Sequence, residues 1–394
     1  METKEHPPKP APLMSSKWAN SLIIHGQLFF WSIFGVLARL GMIALTEYPN
    51  APVSFGVLWA NVAGSLIMGF LLEERLFFVE TARKKVFGNN PPPLRTVIEP
   101  VVEDGGQAPE ANQDDNTNLE LMESLGESEG RFVTDVIPDP ADYVKAKKAI
   151  PLYIGLSTGF CGSFTSFSSF LLDTFLAATN DLPLGSKSRA DGDSFMAFAA
   201  VALLNPAMSL AGFACGGHLA RAVAHLPGLW SIPDRVLPLL NALFAALGFG
   251  CWVGGIFMTA FPPHDFWRGS ALFSVVLGPF GSILRYHLST LNAGRKYPIG
   301  TLAANLLGTM LLGAFFDAIH APVKHVVGCQ VLFGLSDGFC GCLTTVSTWV
   351  AELSALGTKR SYIYGMVSFS AAFLILVPVV GGLRWSHGFE HAVC

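Results

Sequence analysis

Apolar residues run along this chain in stretches too long for a soluble core. Nine of them, at roughly 22–46, 55–78, 148–178, 194–222, 236–261, 268–291, 298–320, 326–356 and 361–383, reach the ~20 residues a helix needs to cross the hydrocarbon core of a bilayer. Two of the nine, beginning near 148 and 326, carry glycines and small hydroxyl residues where a continuous helix wants better formers. They are expected to be broken. The segment 80–147 breaks the pattern. It contains Asn89-Asn90-Pro91-Pro92-Pro93 and an acidic, amide-rich stretch from Glu110 to Glu129. Such a composition cannot bury enough apolar surface to order itself, so it reads as a disordered loop.

Composition agrees with a membrane protein. Of 394 residues 51% are hydrophobic and 14% charged, against about a quarter charged in soluble domains. A net charge of −4 gives no basic field for nucleic acid. The seven cysteines have neither the spacing of a disulfide framework nor that of a zinc site, and read as small buried residues. The polar tail 1–21 lacks a signal-peptide cleavage site and reads as disordered. Basic residues cluster at the N-terminus and after the second, fourth, sixth and eighth stretches. That bias predicts a cytoplasmic N-terminus and an outside C-terminus.

Three ordered motifs occur twice. Gly35-x-x-x-Arg39 recurs as Gly281-x-x-x-Arg285. Gly56-x-x-x-x-Asn61-x-x-Gly64 recurs as Gly300-x-x-x-x-Asn305-x-x-Gly308. Gly155-Leu-Ser-Thr-Gly-Phe-Cys-Gly162-Ser-Phe-Thr165 recurs as Gly334-Leu-Ser-Asp-Gly-Phe-Cys-Gly341-Cys-Leu-Thr344. Asn305 lies 244 residues after Asn61, whereas Gly334 lies 179 after Gly155. The 65-residue difference is close to the length of the polar segment. The chain therefore divides into the tail 1–21, a first repeat 22–222 interrupted by the loop 80–147, a linker helix 223–267 and a second repeat 268–394. Each repeat has four spans, so an odd linker inverts the second relative to the first. Inverted repeats are a transport architecture with function near the midplane.

Polar groups inside the spans are candidates for that function. Asn61 and Asn305 are mid-span amides on small-residue faces, which suits pore lining as well as helix–helix bonding. Arg39 and Arg285, near span ends, read as snorkelling to the interface. Asp173 and Glu352 occupy equivalent positions, with capping and function both open. A break near Thr165 and Thr344 would free carbonyls for a cation and helix N-termini for an anion. Phe167 and Phe170 stand beside it, and aromatic edges can face an anion.

These doubled motifs resemble the small fluoride channels of bacteria, and the two-half, nine-span form resembles the eukaryotic fluoride export proteins. The resemblance implies a passive fluoride conduit in the plasma membrane, working as a monomer whose fused halves form an internal pseudo-dimer. It implies a central structural sodium ion on the carbonyls of Gly162, Thr165, Gly341 and Thr344. It implies a fluoride path along Asn61, Asn305, Phe167 and Phe170, with the hydroxyls of Ser166, Ser168, Thr345 and Ser347. Val346 and Trp349 depart from the pattern, standing where phenylalanine belongs. One pore would then pair Phe167 with Trp349 and the other Val346 with Phe170, and the second is expected to be degenerate. The alternatives are a proton- or sodium-coupled fluoride transporter, for which Asp173, Asp337 and Glu352 are the titratable candidates, and an intramembrane enzyme built on His264-Asp265. For the latter no nucleophile–base set repeats in both halves.

Overall fold

The computed structural model describes residues 14–46, 55–88, 140–182, 191–224, 231–321 and 325–394. Among these residues there is no strand. Lys17–Thr46, Gly192–Ala224, Leu237–Ala260, Ile299–His320, Val326–Ala355 and Thr358–Ser386 are long and apolar enough to cross a membrane. The protein is an all-helical polytopic membrane protein.

The elements run in chain order as α1 (Met14–Thr46), α2 (Leu58–Glu73), α3 (Val79–Phe87) and α4 (Pro140–Lys147). A broken helix follows. It comprises Pro151–Ile154, a π-helical run Gly155–Cys161, a short turn Gly162–Phe164 and then α5 (Phe167–Ala178). Next come α6 (Asp191–Ala224), α7 (Leu237–Ala260), α8 (Phe273–Ser289) and α9 (Ile299–His320). A second broken helix has the same anatomy: Val326–Phe333, a π-helical run Gly334–Cys340, Gly341–Leu343 and α10 (Ser347–Ala355). α11 (Thr358–Ser386) ends the fold. The expected breaks are present. Thr165 and Ser166 are extended, as is Thr344.

Three expectations from sequence need correction. The tail 1–21 is helical from Met14, so α1 projects two turns beyond its apolar stretch; residues 1–13 lie outside the described residues. The segment 80–147 is helical at both ends, in α3 and α4, while 89–139 lie outside the described residues. The ends order because they carry groups to bury. Lys147 is fully buried and donates to the carbonyls of Leu71, Leu72 and Glu74 at 2.7, 3.0 and 2.8 Å, and to the Glu74 carboxylate at 3.2 Å. A cation thus closes the negative end of α2. Burial pushes its ammonium below the ordinary lysine range and the Glu74 carboxylate partly opposes this.

The third correction concerns cysteine. Cys329 and Cys394 form a disulfide, and Cys215 and Cys251 are exposed rather than buried. Only the thiols of Cys161, Cys340 and Cys342 fit the buried reading. The bridge was illegible in the spacing because it joins an apolar helix to a terminal tail 65 residues away. The tail is also held by the Glu390 N–H on the His320 carbonyl at 3.1 Å and by Phe389 against Phe316. Disulfides persist in oxidising compartments. Purified protein digested without reductant should therefore yield a Cys329–Cys394 cross-linked peptide, absent in Cys394→Ser; finding both thiols free in protein from intact cells would contradict an outside C-terminus.

Close packing uses the glycines. A Cβ at Gly69 or Gly216 would strike backbone atoms of Phe213 or Leu66 respectively, so α2 and α6 pack backbone against backbone. Contacts also join helix ends. Asp181 pairs with Arg384, and the Cys329–Cys394 bridge ties the start of the second broken helix to the tail after α11. The ends holding Thr81, Lys84 and Asp234, Lys147 and Glu74, and His25 and His287 meet separately.

Candidate functional site

The two breaks clasp each other. A helix that stops inside a membrane leaves N–H and C=O groups that must find partners within the protein. Here each break supplies the other's caps. The Thr165 hydroxyl accepts from the backbone N–H groups of Val346 and Ser347 at 3.2 and 3.1 Å, at the start of α10. The Thr344 hydroxyl accepts from the Ser168 N–H at 3.1 Å, at the start of α5, and lies 2.9 Å from Ser168 Oγ. The remaining candidate hydroxyls complete the network. Ser347 Oγ donates to the Cys161 carbonyl at 3.1 Å, Thr165 Oγ1 lies 3.2 Å from Thr345 Oγ1, and Ser166 Oγ lies 2.8 Å from Ser169 Oγ. Ser166, Ser168, Thr345 and Ser347 are all buried. The structure thus gives them capping work.

Arg39 and Arg285 do not snorkel. Both are buried and reach inward. Arg39 donates to the carbonyls of Ser163, Asp337 and Gly341. Arg285 donates to Gly162, Thr158 and Thr344, at 2.6, 2.5 and 3.1 Å. Each guanidinium therefore bridges both breaks. The planar fork with several donors suits divergent carbonyls better than an ammonium does. A Cβ at 162 or 341 would overlap the Arg285 or Arg39 guanidinium, so a larger residue there must displace it.

The carbonyl set expected to hold sodium is therefore already in use. Gly162, Gly341 and Thr344 each accept a guanidinium N–H. A carbonyl oxygen keeps a second lone pair, and neutral oxygens suit a hard cation. The donors fit sodium in kind, and any ion there shares them with two guanidinium charges.

The two amides hold the extended backbone of the breaks, and differ. Asn61 accepts from the Ser166 N–H at 2.8 Å and donates to the Ser166 carbonyl at 3.3 Å and to Asn205 Oδ1 at 3.0 Å. Asn305 accepts from the Thr345 N–H at 2.9 Å and donates to the Thr345 carbonyl at 3.3 Å, with no second acceptor among the described residues. Asn205 was missed in the sequence; its only signal is a lone amide before Pro206 in an apolar span. Asp173 takes a backbone N–H at a helix start, whereas Glu352 meets side-chain donors. Asp173 accepts from the Val57 N–H at 3.4 Å, ahead of α2. Glu352 accepts from Thr301 and Asn292 at 2.5 and 3.2 Å, at the start of α9, and from Tyr364 at 2.9 Å.

The aromatic candidates lie directly beyond the clasp. Phe167 of the first half meets Trp349 of the second edge-on, with ring centroids 5.3 Å apart, and meets Phe170 at 5.9 Å. Phe170 turns to Phe369 of α11 at 6.0 Å. Phe167, Phe170, Val346 and Trp349 share one buried cluster.

The chain is similar in sequence to several known proteins. The chain is 41% identical to fluoride export protein 1 of Neurospora crassa, over 96% of this chain and 70% of that one. It is 31% identical to fluoride export protein 1 of Candida albicans, over 93% of this chain and 80% of the relative. The fluoride-specific ion channel FluC 1 of Streptococcus pneumoniae is 40% identical across 82% of its own length but only 26% of this chain. That proportion is what a doubled chain predicts of a single-repeat relative. No solved structure matches. The family model for CrcB-like protein, Camphor Resistance (CrcB), matches residues 27–216 and 272–383, leaving out the segment that carries α7, and the chain belongs to that family.

Proposed function

We propose that this protein is a passive, selective channel that lets fluoride leave the cytosol, and so confers fluoride resistance. The observation that carries this reading is the reciprocal clasp: two copies of one motif cap each other's broken helices, as two copies of a single-repeat channel would. The names of the relatives supply the ion. In this reading the chain has nine spans, with two inverted four-span repeats joined by α7. It acts as a monomer in the plasma membrane, N-terminus inside and C-terminus outside. Sodium on the carbonyls of Gly162, Thr165, Gly341 and Thr344 belongs to the same proposal, and would add neutral-oxygen coordination to the clasp.

The energetics need no coupling. Hydrogen fluoride enters as a neutral weak acid and dissociates in a near-neutral cytosol. An inside-negative potential then drives the anion out at about 2.3 kcal/mol per charge per 100 mV. A coupled transporter needs a carboxyl free to exchange protons along the path. Glu352 is engaged by three donors and Asp173 sits at a helix start, which favours the channel; Asp337, in the π-helical run of the second break, is the carboxyl left to a coupled mechanism.

Proteoliposomes loaded with fluoride decide the matter. Rapid fluoride efflux is expected under a potassium–valinomycin potential, with chloride retained and no dependence on an imposed proton gradient. Equal chloride efflux would remove the fluoride claim, and flux that follows the proton gradient would make the protein a transporter. We further propose that one pore works, lined by Phe167 and Trp349, while the side of Phe170 and Val346 is vestigial.

A further inference from the structure

The indole N–H of Trp349 is an anomaly in the site. Trp349 is 3% exposed, and its Nε1 has no hydrogen-bond partner among the described residues. Buried tryptophan N–H groups are normally paired, because an unmade bond costs about 1–3 kcal/mol. The group is not there by inheritance from the repeat. The equivalent position in the first half is Phe170, whose ring carries only C–H edges. Neighbouring donors are differently placed. The hydroxyls of Thr345 and Ser347 and the N–H groups at the start of α10 are engaged within the clasp.

The geometry points to the Trp349 N–H as a hydrogen-bond donor to fluoride in transit, so that the second half's departure from phenylalanine adds a selectivity element. Trp349 meets Phe167 at 5.3 Å with ring planes at 68°, so an anion at this contact has aromatic edges from both halves within reach. A neutral N–H binds a small, strongly basic anion more tightly than a large, diffuse one. Fluoride is the halide that gains most from such a donor, and the larger, less basic chloride gains less. A donor that is unpaired at rest and paired only by the passing ion holds the ion briefly without trapping it, as conduction requires.

This inference rests on the proposed fluoride pathway, and the test separates the two. In detergent-solubilised full-length protein labelled with 15N at tryptophan, the Trp349 indole cross-peak is assigned by its absence in Trp349→Phe. Addition of sodium fluoride should shift that peak, while sodium chloride at equal ionic strength should not. In proteoliposomes Trp349→Phe, which restores the ring found in the other half, should lower fluoride efflux at least about tenfold. The fluoride-to-chloride preference should narrow with it. A wild-type protein that passes fluoride, with a Trp349 peak that fluoride leaves unmoved or that chloride moves equally, overturns the donor role and leaves the pathway standing. So does full flux in Trp349→Phe. Wild-type protein that passes no fluoride overturns the pathway itself. If Trp349→Phe is not recovered folded, the peak is assigned by selective labelling of wild-type protein and its response to the two salts decides alone.

Discussion

Arg285→Met is expected to cost this protein at least about 3 kcal/mol of stability and to abolish ion flux. The guanidinium donates to Gly162, Thr158 and Thr344, three carbonyls drawn from both broken helices. Methionine fills the volume and offers no donor. Each carbonyl then loses a charged donor in a region without bulk water, at about 1–3 kcal/mol apiece. Relief from burying the charge offsets part of this, as replacement of buried ion pairs by apolar groups shows. The offset cannot be complete, because here only one partner leaves. Arg285→Lys should recover little, since a compact ammonium cannot span carbonyls that a planar fork reaches. Gly162→Ala should resemble Arg285→Met, because its methyl occupies the guanidinium's position. The exposed Arg295→Met is the control and should change neither property. Thermal unfolding in detergent, followed by size-exclusion profile, checks the set. An Arg285→Met protein with unchanged midpoint and flux would show that the clasp is held by other bonds.

That result would also mark the boundary of what sequence can say. The apolar stretches, the two breaks and the doubled motifs are local patterns, and they are legible because each is written within ~20 residues. The direction of a long side chain is not. Arg39 and Arg285 lie near span ends, where a single span viewed alone favours reaching for water. Their partners are carbonyls 59 to 302 residues away, and only the packed pair of breaks makes reaching inward favourable. The hydroxyls of Ser166, Ser168, Thr345 and Ser347 have the same history. Ser and Thr beside a break suit either a pore wall or a cap, and the swap of caps between halves is decided by tertiary pairing. Asn205 and the Cys329–Cys394 bridge left no repeat and no spacing to read. By contrast, the contact of Phe167 with Trp349 is the crosswise pairing that the doubled motif led one to expect.

The two amides already break the symmetry of the clasp. Asn61 spends both its N–H groups, on Ser166 and on Asn205, whereas Asn305 has one acceptor among the described residues. An anion needs donors that are not already committed, and this inequality supports the proposal of one working pore. The aromatic rings break the symmetry again. Phe167 faces an indole from the other half, while Phe170 faces Phe369 and shares its cluster with the small aliphatic Val346. Phe167→Ile should therefore lower fluoride efflux at least about tenfold, by removing the one ring that contacts Trp349 across the halves. Phe170→Ile should keep most of the flux, because its cross-half ring is Phe369 of α11 rather than a residue of the second break's motif. Both replacements put a β-branched aliphatic in a buried site and remove comparable area, so both should lose a similar ~1–3 kcal/mol of packing. Matching unfolding midpoints with divergent flux would thus isolate conduction from stability. Loss of flux in Phe170→Ile with retention in Phe167→Ile would assign the working pore to the other side, and equal partial losses would mean that both conduct.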